Sequence, residues 1–317
     1  MFTVAACCQV LLSCVLIVAS FRLNIHRSIL HGSRPIIDRD PSQTAGDRGT
    51  NGNFIVRCAK RREDIDFDRA FDGWLTGCLS IINSSTVDYS KPLYVSEDHR
   101  NVTGIINKDK LIHLETVAYG STCNEYVRLV KISSDSYHVF NFLAVPNVSY
   151  DLPIFGADIV FLPGRAIVTI DFQPLSDAGG YYDSYLYSPY KQRLSKWQAL
   201  FPPSGVVPEQ YREYFSPLAL YASFPAKDVT GSLLFLIEQS LKEYLQCYVE
   251  ATALSALRLD ASPLDEDRLR RREMLRRYLS FRRDKDPAKG LLSAAFGAAW
   301  TEQLLQETVF PFPVSCL

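Results

Sequence analysis

Val139-Phe140-Asn141-Phe142-Leu143-Ala144-Val145, Ala157-Asp158-Ile159-Val160-Phe161-Leu162 and Ala166-Ile167-Val168-Thr169-Ile170-Asp171-Phe172 decide the fold. Each run has the length and β-branched, aromatic character of a strand. The first extends back to Tyr137. Its two faces are Tyr137/Val139/Asn141/Leu143/Val145 and His138/Phe140/Phe142/Ala144. Both are largely apolar, so the sheet is expected to be covered on both sides. Short links make the runs an antiparallel meander. Pro163-Gly164 fits the centre of a type II turn, with Gly supplying the positive φ. Asn141 and Asp158 sit alone inside runs that otherwise read as buried. A carboxylate taken out of water without a partner is costly and tends to hold its proton. Asp158 is therefore either a hydrogen-bonded core residue or an acid in use.

Outward from these runs the pattern stays α/β. Upstream, Glu125 to Ser133 reads as a strand closed by Ser134-Asp135, and Lys110 to Val117 as a shorter one. Ser84 to Asn107 is polar and turn-rich and reads as a loop. Arg62 to Ile82 has apolar residues at helical spacing, from Ile65 and Phe67 to Leu79 and Ile82. Downstream, Tyr181 to Leu200 is helical and Phe201-Pro202-Pro203-Ser204-Gly205 breaks it. Glu213 to Phe224 leads into a strand. Asp228 is placed to cap a helix over Thr230 to Leu257. Pro263 opens another helix to Arg283, and Leu291 to Phe310 reads as a last one. The fold class is α/β: a three-layer α/β/α sandwich with a central antiparallel sheet and helices on both faces.

Composition narrows the function classes. The 317 residues are 47% hydrophobic, with 17 Tyr and 18 Phe, enough for a sizeable core. A net charge of -1 gives no reason to expect nucleic acid. Of eight cysteines, Cys7, Cys8 and Cys14 lie in a leader. Cys58, Cys78, Cys123, Cys247 and Cys316 are widely spaced and read as free thiols in a reducing compartment. The first 37 residues carry no Asp or Glu. Val10 to Ser20 is apolar but short for a membrane span, and Val18-Ala19-Ser20 is a small-residue cleavage pattern. A basic, acid-poor stretch follows Phe21, with Arg22, Arg27 and Arg34. A membrane anchor is the competing reading. The order of signal peptide then basic segment resembles the two-part plastid address of algae with complex plastids of red-algal ancestry. Residues 1–53 are thus expected to be a leader with a disordered remainder. Residues 54–317 would then be one domain, in the plastid stroma and off the membrane once processed.

No GxGxxG after a strand, Walker loop, HExxH or GxSxG is present. Ala178-Gly179-Gly180 signals only a loop. His99, His113 and His138 show no metal spacing. Two isolated acids remain, Asp158 and Asp286. Asp286 stands before Pro287 between two helices, where a helix start and a functional acid are both open. Arg268 to Lys285 holds nine Lys/Arg, either a solvated face or a docking surface.

The ordered segments VFNFLAVPNVSYDLPIFGAD (139–158), IDFQPL (170–175), EYFSPL (213–218) and RRYLSFRRDKDPAKGLLSAAFGAAW (276–300) resemble the ferredoxin-dependent bilin reductases. The resemblance covers Tyr126 to Phe310. It implies a linear tetrapyrrole held between the sheet and the C-terminal helices. It also implies no bound cofactor, with single electrons from reduced ferredoxin, radical intermediates and protons from side chains. Asp158 matches the sheet acid of that family, Asp286 the acid before proline, and Asn141 the sheet position that varies. Members forming phycocyanobilin carry His in place of Asn141 and a Glu one strand earlier, where this chain reads Arg128-Leu129-Val130-Lys131-Ile132. Plant members carry Asp and Asn in the reverse order. The Asn/Asp/Asp set suits the phycoerythrobilin branch. Within it, Tyr150-Asp151-Leu152-Pro153, Phe215-Ser216-Pro217 and Lys285 to Leu291 side with members that reduce the A-ring diene of 15,16-dihydrobiliverdin. The alternatives are reduction of biliverdin to dihydrobiliverdin, a four-electron enzyme doing both steps, and a non-catalytic bilin carrier. Asp158 and Asp286 are the expected proton donors and Asn141 an orienting group. Arg128 is a candidate partner for a bilin propionate. The basic helix would dock acidic ferredoxin or pair with propionates, and transient contact with the preceding reductase is left open.

Overall fold

The computed structural model describes residues 65–85, 91–106, 110–175, 187–201, 207, 209–257 and 265–313. All belong to the unit Lys60–Leu317. The leader over residues 1–53, the domain start near Phe54, residues 178–186, the break at 202–205 and Pro263 lie outside the described residues.

Among the described residues eight strands form one antiparallel sheet: β1 (Lys91–Pro92), β2 (Asn101–Ile106), β3 (Lys110–Gly120), β4 (Asn124–Ser134), β5 (His138–Pro146), β6 (Ile154–Phe161), β7 (Arg165–Gln173) and β8 (Leu220–Pro225). Their order is β1-β3-β4-β5-β6-β7-β8, with β2 also paired to β3. The meander read around Asn141 is its centre. Ser84 to Asn107 is not a plain loop. It holds β1, the short helix α2 (Glu97–Arg100) and β2, which pairs Asn101 with Glu115 through Ile106 with Lys110. Its polar, turn-rich residues gave no strand period; pairing with β3 decides the conformation. The β6–β7 link is a two-residue turn, closed by Leu162 N–H to Arg165 O at 2.7 Å and Arg165 N–H to Leu162 O at 3.3 Å. Gly164 does not take the left-handed φ of a type II turn, so that expectation fails.

Alternation sends successive side chains to opposite faces. Apart from His138 at the start of β5, one face is apolar in β5 to β8: Phe140, Phe142, Phe155, Phe161, Val168, Phe172, Leu220 and Phe224 among others. It is covered by α1 (Phe67–Asn83), α3 (Ser188–Leu200) and α4 (Gly231–Leu257). Asp66 caps α1, accepting from Arg69 N–H at 2.9 Å. Trp74 meets Phe140 edge-on at 5.6 Å, and Tyr248 stacks on Phe155 at 5.4 Å. The cap of α4 is Thr230, whose Oγ1 accepts from Leu233 N–H at 3.2 Å, not Asp228, which ends a preceding 3-10 turn.

The opposite face is covered by α5 (Asp265–Asp284), α6 (Lys289–Phe296), α7 (Ala298–Leu304) and a π-helical turn over Leu305–Val309. Leu291 to Phe310 is therefore three pieces rather than one helix. Gly297 makes the break with φ 93° and ψ 152°, a region essentially reserved for glycine. No helix among the described residues is long and apolar enough to cross a membrane.

Gly297→Ala is expected to lower stability by about 1–3 kcal/mol, read from the urea midpoint. Gly164→Ala, where an added Cβ meets nothing within 4 Å, is the near-neutral control. Equal midpoints for the two variants would contradict the backbone assignment.

Candidate active site

The second face is where the polar residues collect. Cross-strand register aligns Val130 with Asn141, Asn141 with Asp158 and Asp158 with Thr169. Arg128, two residues from Val130, shares that face, and so do Asp171 and Gln173 on β7. Against an otherwise apolar layer of Tyr126, Val139, Leu143, Val145 and Ile154, they form one polar strip across the middle strands.

Asn141 and Asp158 are directly opposite each other, and Asn141 Nδ2 donates to Asp158 Oδ1. The other carboxylate oxygen accepts from Arg282 Nη2 of α5 at 2.8 Å. Arg282 also donates to the Tyr278 hydroxyl at 3.1 Å and lies 5.3 Å over the Phe310 ring. Asp158 holds Arg282 strongly in its charged form, against the burial that opposes it. Asp286 lies two residues past the end of α5. Its Oδ1 accepts from Ala288 N–H at 2.7 Å, so it shapes the entry to α6. It is not a bland cap, however: burial raises its carboxyl above the usual aspartate value. Arg282, the Ala288 N–H and Arg128 pull it down, while Asp158 pushes it up. Arg128 is 1% exposed and lies 5.5 Å over the same Phe310 ring. Burial lowers its pKa to about 10. The fold thus brings Asn141, Asp158, Asp286 and Arg128 into one electrostatically coupled cluster.

Three participants escaped the sequence reading. Arg282 was one of nine basic residues on a helix read as a single surface. The structure divides that helix. Arg282 and Arg271 turn inward, Arg271 donating to Val148 O at 2.9 Å, whereas Arg277 stays at the surface with Glu213. No periodicity in so basic a helix marked Arg282 out. Phe310 had none beyond its apolar character. Asp171 is a third acid on this face and, unlike the half-buried Asp158 and Asp286, is fully buried. It accepts from Ser216 N–H at 2.9 Å and from Ser216 Oγ. Burial raises its carboxyl to about 7. Its signal was an acid inside Ile170-Asp171-Phe172.

The histidines have ordinary partners. His99 Nδ1 lies 2.8 Å from Thr308 Oγ1, His113 Nδ1 lies 2.9 Å from Thr103 Oγ1, and His138 stacks on Phe67 at 4.3 Å. Among the described residues no group of three or more His, Cys, Asp or Glu is placed to hold a metal ion. Cys78, Cys123 and Cys247 are buried free thiols.

A strip of acids and guanidinium groups on one face of an apolar sheet can bind a large flat ligand and pass protons to it. Comparison with known proteins points the same way. The family model described as ferredoxin-dependent bilin reductase matches residues 81–311. A phycoerythrobilin:ferredoxin oxidoreductase of Parasynechococcus marenigrum is 33% identical over 177 residues, 54% of this chain and 64% of that protein, so the match spans less than two thirds of its length. Its namesake in Prochlorococcus marinus is 29% identical over 245 residues, 75% of this chain and 92% of that protein. The crystal structure of phytochromobilin synthase from tomato, in complex with biliverdin, has a TM-score of 0.66 at 21% identity, covering 76% of this chain and 82% of that one. At that identity the likeness speaks for the fold.

Asp171 gives this face a pH signature. Its folded carboxyl titrates at about 7, against an ordinary 3.8. Between those values the folded chain binds more protons than the unfolded one, so its stability contribution falls as pH rises through the window. Asp171→Asn removes that slope. The urea midpoint of the variant relative to wild type should rise between about pH 4 and pH 7; a pH-independent difference would contradict the assignment.

Proposed function

This chain belongs to the ferredoxin-dependent bilin reductases, and from that premise we propose that it reduces the A-ring diene of 15,16-dihydrobiliverdin to phycoerythrobilin. The observation that carries the reading is the polar strip itself: two carboxyls, Asp158 and Asp286, linked through Arg282 on the face covered by the C-terminal helices. A two-electron reduction consumes two electrons and two protons. Reduced ferredoxin supplies the electrons singly, with no cofactor bound to the chain. The bilin becomes a stronger base with each electron. A carboxyl raised by burial keeps its proton to higher pH than an exposed aspartate and yields it when such a base forms beside it. Arg282 then stabilises the carboxylate left behind.

The roles follow from position. Asp286, raised and on the helical side, donates one proton. Asp158, on the strand, whose two oxygens accept from Asn141 and Arg282, relays the other after taking it up from solvent. Arg128 belongs to the substrate-binding wall. β4 presents Tyr126, Arg128, Val130 and Ile132 to this face, with no carboxylic acid among them, which supports a site that spares the D-ring vinyl group. The name shared by the curated relatives supports the same step. The acid-poor leader supports a plastid stromal location for the processed protein, and the bilin-producing reductase before it would be its transient partner.

The test is turnover with reduced ferredoxin, supplied separately with biliverdin and with 15,16-dihydrobiliverdin. Phycoerythrobilin should form from the second bilin only. Asp286→Asn should slow it by about 10²- to 10⁴-fold. Product from biliverdin alone would assign the preceding step, and an unchanged bound-bilin spectrum after reduced ferredoxin is added would assign a carrier.

A further inference from the structure

Arg128 is the most anomalous side chain in the described structure. It is 1% exposed, and its Nε, Nη1 and Nη2 atoms have no hydrogen-bond partner among the described residues. A guanidinium carries five N–H donors in a planar fork. Burying all five unpaired is costly enough to call for a function. Its surroundings are specific. It lies on the same sheet face as Asn141 and Asp158, over the ring of Phe310, which Arg282 also covers at 5.3 Å. The charged groups that act on it are Asp158, Asp286 and Arg282.

We propose that Arg128 donates to the lactam oxygen of a terminal ring of the bilin and stabilises the negative charge that this oxygen gains on one-electron reduction. This rests on the bilin-reductase reading of the site and replaces the propionate role expected for this residue. Two physical points separate lactam from propionate. A propionate brings a full negative charge and has to leave water entirely to reach a side chain this deep, next to two acids that repel it. A lactam oxygen arrives neutral and acquires charge only when the electron does. A fixed cation there favours the reduced state over the ground state, which is how preorganised charge lowers a barrier. The steps balance. One electron from reduced ferredoxin gives a bilin radical anion, its charge shared with the lactam oxygen facing Arg128. A proton from Asp286 then neutralises the radical, leaving the Asp286 carboxylate. A second electron, with a proton taken up from solvent and relayed by Asp158, completes the reduction.

The probes are biliverdin and biliverdin dimethyl ester, whose propionates carry no charge. Affinity of the full chain for each is measured in wild type, Arg128→Gln and Arg128→Lys. Arg128→Gln should weaken both ligands by a similar factor, about ten- to hundredfold, the range for a hydrogen bond to a charged group. Arg128→Lys should recover part of that loss. Loss with the free acid alone would overturn the proposal in favour of the propionate, and so would no loss with either ligand. Wild-type failure to bind any bilin would count against the underlying reading instead. If neither variant folds, the wild type decides. One lactam carbonyl stretch of the bound dimethyl ester should lie at lower frequency than in solution, and two unshifted lactam stretches would overturn the proposal.

Discussion

The ion pair between Arg282 and Asp158 is the contact on which this structure turns. It joins the last turn of α5 to the centre of β6 across 124 residues of sequence. Its side chains are 17% and 27% exposed, screened enough from water for charge and geometry both to matter. Arg282 spends one nitrogen on Asp158, another on Tyr278 and its flat face on Phe310. That arrangement fixes where α5 ends and therefore where Asp286 begins. It also sets a cation close to Asp286, opposing the burial that raises the carboxyl. One residue thus orients the first acid and tempers the second.

The two faces of the sheet have divided labour. The α1/α3/α4 face is an aromatic and aliphatic layer, with Phe140 in edge contact with Phe71 and Trp74, those two rings tilted against each other, and Tyr244 and Tyr248 stacked against Phe172. Its one polar side chain in β5 to β8 is His138, stacked on Phe67, and burial there holds the sheet together. The other face carries charged and amide groups that an apolar layer would exclude. A strand period of two makes the separation possible: a change at Asp158 leaves Ala157 and Ile159 packed where they were.

Much of this was legible from residues alone. The alternation in Tyr137 to Phe172 gave the meander, its two covered faces and the placing of Asn141 and Asp158 on neighbouring strands; their direct opposition was not legible, because the link over residues 147–153 is too long to fix a register. Asp286 could be named through motif likeness, but its electrostatic contact with Asp158 depends on how α5 crosses the sheet, a tertiary fact. Arg282 was indistinguishable from Arg276 or Arg277 in a helix so basic that no periodicity marks its inner side. β2 was hidden because Asn101 to Ile106 gains its order from β3. The breaks and caps were misread where two local solutions compete: Thr230 stands two residues from Asp228, and Gly297 interrupts a run that otherwise reads as one helix.

The central claim is that Asp286 carries the proton under control of Arg282. Isotope-edited infrared titration of aspartate carboxyls, comparing wild type with Asp286→Asn and Arg282→Gln, tests it most directly. A protonated-carboxyl band should vanish in Asp286→Asn. In Arg282→Gln the same band should persist to higher pH than in wild type, because the cation that lowers the Asp286 carboxyl has gone. A band untouched by Asp286→Asn, or one that disappears at lower pH in Arg282→Gln, would contradict the claim.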